Sequence, residues 1–483
     1  MKASDLIISA ASVEIFIFIA ACSILCADLF LPKERRARLH WAAVAGLLIA
    51  AAATAGDFSS PPQSAMNGFF VASPFTALLK TTILLAAAGS LAFSRHYLQS
   101  TGMLRGEFHC LSLLAVLGML VMVSAGHFLS LYMGLELMSL CLYALIAMRR
   151  NSVMASEAAI KYFVLGALAS GLFLYGVSII YGTTGQLYIR DVAEAIVSGH
   201  FASQMALTLG LVFMLAGLAF KLGAAPFHMW LPDVYQGAPA PVTLFIAAAP
   251  KVAAMAMLLR VLVESLGALS GDWRDMLIVL AVASLAVGNL TAIAQTNFKR
   301  MLAYSAIAHS GFMLLGVLAG GIGGVAAAMF YIIAYALMTV GGFGVLVLMS
   351  ADGEEKSELA DIKGLASRNG LAAGVLLLLM FSMAGIPPVV GFAAKLAVLE
   401  AAAHAGLIWL VVLAVLFSVV GAFYYLRVVK LMFFDKPEVD AATVSLTPAA
   451  SVLLALIGVL VLFLGLFPGG LLALCEAAAW TSL

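Results

Sequence analysis

Charged residues are scarce in this chain. Lys, Arg, Asp and Glu make up 10% of its 483 residues, while 64% are apolar, and a soluble domain carries about 25% charged residues. So few charges cannot cover a folded surface in water, so the outside of this protein must face lipid. An excess of either sign is also lacking: 25 basic residues stand against 24 acidic ones, which argues against a nucleic-acid partner. Five cysteines are present (Cys22, Cys26, Cys110, Cys141 and Cys475), none in a C-x-x-C pair. Cys22 and Cys26 share a helix face and read as packing rather than a metal site or disulfide. There is no P-loop, no cysteine cluster for iron–sulfur and no histidine pair at haem-like spacing. No G-x-G-x-x-G follows a strand, because no strand is expected, and the glycines at Gly320, Gly321, Gly323 and Gly324 fall in a link between helices. The chain is therefore expected to hold no cofactor and no metal, and to transport without an energy source of its own.

What the sequence has in quantity is long apolar runs. A helical span needs about 20 apolar residues. Fourteen runs qualify: 6–31, 39–55, 69–93, 109–124, 127–148, 158–181, 204–236, 241–265, 275–296, 301–319, 322–350, 371–403, 406–432 and 449–467. Backbone groups in lipid must be bonded within the segment, so these are helices, and the fold is an all-α integral membrane protein of about fourteen spans. The first run is too long for a cleavable signal and is followed by further spans, so it is expected to remain as a span.

The links alternate in charge. Those after odd-numbered spans hold Lys33, Arg35, Arg36, Arg38, Arg95, Arg105, Arg149, Arg150, Lys299, Arg300, Lys356, Lys363, Arg368, Arg427, Lys430 and Lys436. Those after even-numbered spans, with the tails, hold Lys2, Arg190 and Arg274, a ratio of sixteen to three. The positive-inside rule puts the odd links in the cytoplasm and both termini on the outer, periplasmic side of a bacterial inner membrane or its equivalent. One missed or invented span would scramble this alternation.

Two spans carry breaks. The seventh contains Gly223, Pro226 and Pro232, and the twelfth contains Gly385, Pro387, Pro388 and Gly391. Proline removes a donor and clashes with the preceding turn, so each of these long spans is expected to form two half-helices. The breaks lie five spans apart, so the broken helices cross the membrane in opposite directions. That spacing predicts an inverted repeat of spans 4–8 and 9–13, an architecture in which transporters place ion sites at the broken helices. The chain then divides into three N-terminal helices (1–108), a first five-helix unit (109–265), a second (266–432) and a C-terminal helix (433–483), each five-helix unit forming one proton half-channel.

Ionisable groups inside spans are costly, at roughly 2.5–3.5 kcal/mol for a charge at the bilayer centre. Six basic residues remain there: Lys80, Lys161, Lys221, Lys251, Arg260 and Lys395, with Glu136 the clearest buried acid. A structural hydrogen bond could explain Glu136, but Asn or Gln would make one at lower cost. Lys251 lies ten residues into its span, at a depth of about 15 Å, near the midplane. Lys221 and Lys395 adjoin the breaks, where freed carbonyls can solvate an ammonium. A desolvated lysine can release its proton near neutral pH, whereas arginine stays charged. Lys161 is near a span edge and could snorkel to the cytoplasm. Lys80 and Arg260 read equally well as structural groups, and His127 reads as a structural group at a span edge. His228 and His309 are membrane-depth imidazoles suited to a relay or to helix packing, and Tyr304 could donate into a water chain or pack.

Taken together, Glu136 on span five, Lys161 on six, Lys221 with Pro226 and His228 on a broken seven, Lys251 on eight and Lys395 on a broken twelve resemble the antiporter-like membrane subunits of respiratory complex I, the NADH–quinone oxidoreductase. The stretches Phe227–Pro239 and Lys299–His309 carry the resemblance most specifically, and it extends over the whole chain. It implies a proton-translocating subunit of an enzyme complex, with two linked half-channels. Lys221 would be the central carrier of the first, with Glu136 and Lys161 as the pair that tunes it. Lys251 and His228 would pass the proton to Lys395 in the second. NADH, flavin, iron–sulfur clusters and quinone would belong to partner subunits of the membrane and peripheral arms. Two other classes fit parts of the sequence: a subunit of a multisubunit cation/proton antiporter of related fold, and a structural assembly subunit. Sodium prefers oxygen ligands, and a single convincing buried carboxylate argues against the first; the midplane charges argue against the second.

The charge pattern makes one direct prediction. Cysteines placed in the basic link at 35–38 should be blocked only by thiol reagents that enter the cell, and labelling by an impermeant reagent from outside would overturn the topology.

Overall fold

The computed structural model describes residues 10–32, 35–350, 353–437 and 446–480; Lys2 and Lys33 of the charge pattern lie outside them. Nineteen helices form among the described residues. The first six are α1 (Ser12–Phe30), α2 (Arg36–Gly56), α3 (Pro74–Ser100), α4 (Gly106–Ser124), α5 (Phe128–Ile146) and α6 (Val153–Thr184). A short α7 (Ile189–Val197) precedes the broken seventh span, α8 (Gln204–Leu222) and α9 (Trp230–Gly237). Then come α10 (Ala240–Leu259), α11 (Ser270–Ile293), α12 (Phe298–Ala319) and α13 (Gly321–Met349). A four-residue α14 (Leu365–Arg368) leads into the broken twelfth span, α15 (Gly370–Ala384) and α16 (Val390–His404). The chain ends with α17 (Ile408–Phe433), α18 (Pro448–Leu466) and α19 (Gly469–Ala479). Thirteen helical segments are long and apolar enough to cross a membrane, and the paired halves α15 and α16 make the fourteenth span.

Both breaks have the same local construction. α8 stops at Gly223 with φ 72° and α15 at Gly385 with φ 86°, left-handed values that favour glycine at a helix C-terminus. Three residues on, each chain passes a cis X-Pro bond, Ala225–Pro226 and Pro387–Pro388. All three prolines are exposed on the outside of the isolated chain.

The repeat is visible in backbone hydrogen bonds. Phe128 N donates to Leu187 O at 3.0 Å, and Phe298 N donates to Ser357 O at 2.6 Å. Ile189 N donates to Gly126 O at 3.0 Å, and Leu359 N donates to Thr296 O at 2.8 Å. Every residue in the second set stands 170 positions after its counterpart (126 to 296, 128 to 298, 187 to 357, 189 to 359). The same offset relates the close helix contacts. A Cβ added at Gly118 would meet Met138 N at 2.6 Å, and one at Gly288 would meet Ala308 N at 2.5 Å. Small residues of this kind let membrane helices approach closely. The two units therefore share one construction, five spans apart and oppositely directed.

Three elements depart from the sequence reading. A two-stranded hairpin, β1 (Gln63–Ala65) with β2 (Phe70–Ala72), precedes α3, so the molecule is not free of strands. α7 is a short amphipathic helix rather than plain link. α19 follows the fourteenth span and buries Cys475, Ala478 and Ala479. The hairpin leads into Ser73 and Pro74, where Ser73 and Thr76 form a capping box and Pro74 takes the first helical position, the arrangement expected of a helix start.

On the side of the odd-numbered links, Glu355 gathers several elements. Its carboxylate accepts from Tyr97 Oη of α3 and from Ala240 N of α10 at 3.1 Å. It pairs with Lys299 of α12 at 2.9 Å and with Arg149 at 3.7 Å. Burial alone would raise this carboxyl, but Lys299, Tyr97 and the Ala240 amide together hold it below the usual carboxylate range. A depressed carboxylate contributes stability above its ordinary titration range, and that stability is lost as pH falls through its folded value. Glu355→Gln should destabilise the protein by about 1–3 kcal/mol. The loss should be largest at neutral pH and shrink in acid, as read by thermal melting across pH.

Candidate functional site

The site is set by α10, every residue of which is buried. Lys251 lies on it with its three ammonium donors matched by three neutral acceptors. These are Leu222 O at 3.0 Å, Ala306 O at 3.2 Å and Ser310 Oγ at 3.1 Å. Leu222 is the last residue of α8, so its carbonyl is available because the helix stops there. Lys395 is held in the same way at the other break. Its Nζ donates to Ala384 O, the last residue of α15, at 2.8 Å and to Ser418 Oγ at 2.9 Å. It also sits 4.9 Å from the centroid of the Phe312 ring. Lys221 instead donates to Ser139 Oγ at 2.7 Å, and Glu136 is the acid whose field reaches it.

An aromatic cluster on α12, α13 and α17 lies between Lys251 and Lys395. His309 shares a hydrogen bond through Nδ1 with Tyr331 Oη at 2.7 Å and one through Nε2 with Tyr425 Oη at 3.2 Å. Tyr425 in turn meets Ser305 Oγ at 2.5 Å. The Tyr335 ring faces both the Lys251 ammonium, 5.7 Å away, and the His309 ring, 5.3 Å away. On the far side, His309 and Lys395 line one cavity of about 10 Å³ together with Asn289, Phe312, Gly421 and Tyr424. That volume is about the smallest that admits a water. The structure thus brings Lys251, His309 and Lys395 into one polar sequence inside an apolar core.

Four of the expected residues stand in surroundings that the sequence did not show. Lys161 does not pair with Glu136. It is 43% exposed and bonds Glu157 at 2.7 Å and Asp233 of α9 at 2.8 Å. Asp233 also accepts from Arg300 Nη1 at 2.7 Å. Glu136 is half-buried, on the face of α5 where Met133 and Leu140 are exposed, and the more deeply buried acid is Glu14, 6% exposed. His228 lies half-buried in the break, with Nδ1 enclosed and bonded to no described group, and joins neither Lys221 nor Lys251. Tyr304 sits against Arg300, 6.0 Å from ring to guanidinium, and it is Tyr425 that shares a hydrogen bond with His309. Lys80 pairs with Glu14. Arg260 donates to Val123 O at 2.7 Å and pairs with Glu264 at 2.8 Å, and His127 caps α5 by accepting from Leu129 N; both of these are structural. The breaks at Pro226, Pro387 and Pro388 stand where expected.

Sequence reasoning missed Asp233, Ser139, Ser310, Ser418, Tyr331 and Tyr425. Asp233 was within reach: it lies one turn after the break, in the same stretch as His228.

Paired broken helices, inverted units and buried lysines at the breaks define an antiporter-type membrane transport subunit. The NADH:quinone oxidoreductase/Mrp antiporter transmembrane family matches residues 125–421. NADH-quinone oxidoreductase subunit N of Thiobacillus denitrificans is 53% identical over 469 residues, covering 97% of each chain. The subunit N of Nitrosomonas europaea is 50% identical over 465 residues, covering 96% of each. A chain of respiratory complex I from Thermus thermophilus superposes with a TM-score of 0.81 at 35% identity, covering 95% of this chain and 98% of that one. A chain of the Mrp complex from a Dietzia species shares the fold, with a TM-score of 0.86 at 23% identity over 98% of this chain and 97% of that one. The chain belongs to the NADH-quinone oxidoreductase subunit N family.

The Lys161–Asp233–Arg300 network is testable by a double-mutant cycle. Lys161→Met and Asp233→Asn should each lower proton pumping, and the double variant should lose less than the sum of the two, because the residues share one interaction. Full additivity would show that Lys161 acts independently of Asp233.

Proposed function

We propose that this chain moves protons across the membrane as a subunit of a bacterial NADH–quinone oxidoreductase, along Lys221, Lys251, His309 and Lys395. One observation carries this reading. Lys80, Lys161 and Lys299 are each matched by a carboxylate. Among the described residues, Lys221, Lys251 and Lys395 are bonded only to hydroxyl and carbonyl oxygens. An ammonium fixed to a carboxylate is locked in its charged form. One held by neutral dipoles can exist either charged or neutral, as a carrier requires. His309 can take a proton on one ring nitrogen and give it from the other, and its tyrosine partners extend that path.

Glu136 then tunes Lys221 through its field, while Lys161 acts through Asp233 at the odd-link side. The division at 108, 265 and 432 gives each five-helix unit one half-channel, joined where Lys251 meets α12. NADH oxidation and quinone reduction, with flavin and iron–sulfur clusters, take place in partner subunits. The chain sits in the bacterial inner membrane among lipids and other membrane subunits, with both termini outside. A sodium-exchanging antiporter is the weaker reading, because sodium takes oxygen ligands while the freed carbonyl oxygens at both breaks already hold ammonium groups.

Moving each charge through the membrane potential involves ~2.3 kcal/mol per 100 mV, so a permanently charged group would block the path. Lys395→Arg keeps the charge but cannot release a proton, and it should impair pumping about as badly as Lys395→Met. Lys395→His should retain part of the activity. Pumping would be compared in membranes holding equal amounts of assembled complex. Full activity in the arginine variant would leave Lys395 as a fixed electrostatic element.

A further inference from the structure

A second ionisable pair stands apart from the lysine chain. Glu14, in the first turn of α1, and Lys80, in the second turn of α3, face each other with Oε1 and Nζ 2.5 Å apart and side chains 7% and 6% exposed. The Lys80 ammonium also lies 4.6 Å from the centroid of the Phe70 ring in the hairpin. Glu14 Oε2 is enclosed and accepts no hydrogen bond from any described residue. Both side chains line a cavity of about 190 Å³, whose wall includes Thr54 and Thr76 and whose rim is formed by exposed Asp57 and Gln63. That space holds several waters at about 30 Å³ each.

Stability alone does not call for such a pair. Replacing a buried ion pair with well-packed apolar residues is often neutral or stabilising. A dry structural lock would also match both carboxylate oxygens with donors, whereas here Oε2 has no donor among the described residues and Glu14 lines a polar cavity. Among the described residues, the charged groups around that cavity are Glu14 from α1, Asp57 from the end of α2 and Lys80 from α3; the hairpin contributes the neutral Gln63.

We propose that Glu14 and Lys80 form a protonation site open to the aqueous face on the hairpin side, separate from the Lys221–Lys395 chain. That face is the outer one in the topology proposed above, and this sidedness rests on that reading. A hydronium in the cavity gives its proton to Glu14 Oε2, forming the O–H bond there. The Lys80 side chain keeps its place beside Glu14 and against the face of Phe70. Release to water reverses the step.

The test uses the intact complex in vesicles oriented with a known face outward, treated with a quaternary-ammonium carbodiimide that does not cross the bilayer. This reagent reacts with a protonated carboxyl: the acid proton passes to a carbodiimide nitrogen while the carboxyl oxygen bonds its central carbon. With Glu14 acylated and its charge gone, Lys80 can lose a proton to cavity water and, as the free amine, displace the urea to form an amide; otherwise the O-acylisourea rearranges to an N-acylurea. Peptide mass spectrometry should find Glu14 modified by one of these routes from the hairpin side only, with a yield that rises as the pH of that side is lowered. The product should persist in Asp57→Asn and be lost in Glu14→Gln. An unreacted Glu14 at every pH, while Asp57 at the rim is modified, would overturn the proposal and leave the pair as a dry lock. Modification from the opposite face alone would overturn the outward assignment without touching the lysine chain.

Discussion

An ammonium at membrane depth must find oxygen acceptors within the protein, because the surrounding lipid offers none. A continuous α-helix has little to spare, since each interior carbonyl already accepts a bond from four residues on. The two helix breaks resolve this. α8 and α15 each end in left-handed glycine, and the carbonyls of Leu222 and Ala384 become acceptors for Lys251 and Lys395. Serine hydroxyls on facing helices complete the shells. Burying Lys251 and Lys395 and interrupting the neighbouring helix are thus linked structural features.

The two units use their shared construction differently. Ser139 and His309 stand 170 positions apart, the offset that relates the repeated backbone bonds. Ser139 meets Lys221 directly, while His309 is held among tyrosines beside Lys395. A common backbone has thus been given a hydroxyl in one half and a titratable ring in the other.

Much of this was legible in the sequence because its signals are large. The apolar runs match the helices to within a few residues at most ends, since lipid leaves little room for other structure. The Gly and Pro positions located both breaks, and the lysines announced their own cost. The partners of the lysines were hidden. Serines and tyrosines occur throughout membrane helices, and nothing in sequence spacing shows that Ser418 of α17 reaches Lys395 of α16. Lys161 is matched by Asp233, 72 residues away, and only the folded chain shows which carboxylate lies near. The hairpin was missed because its strands are three residues each, too short to show alternation. Glu14, eight residues inside the first apolar run, was passed over, and only the folded chain shows Lys80 beside it.

One carbonyl has a wider role than its neighbours. Leu222 O receives Lys251 Nζ from α10 and also Ser310 Oγ from α12 at 2.9 Å, so a single oxygen at the tip of a half-helix ties both five-helix units together. Four residues on stands Pro226, which has no N–H to offer, so this oxygen cannot be claimed by its own helix and stays free for both donors. The tip of α8 is therefore a rivet between the two halves, set beside the bonds from Ala225 N to Ser284 Oγ and from Arg300 to Asp233 that cross the same seam.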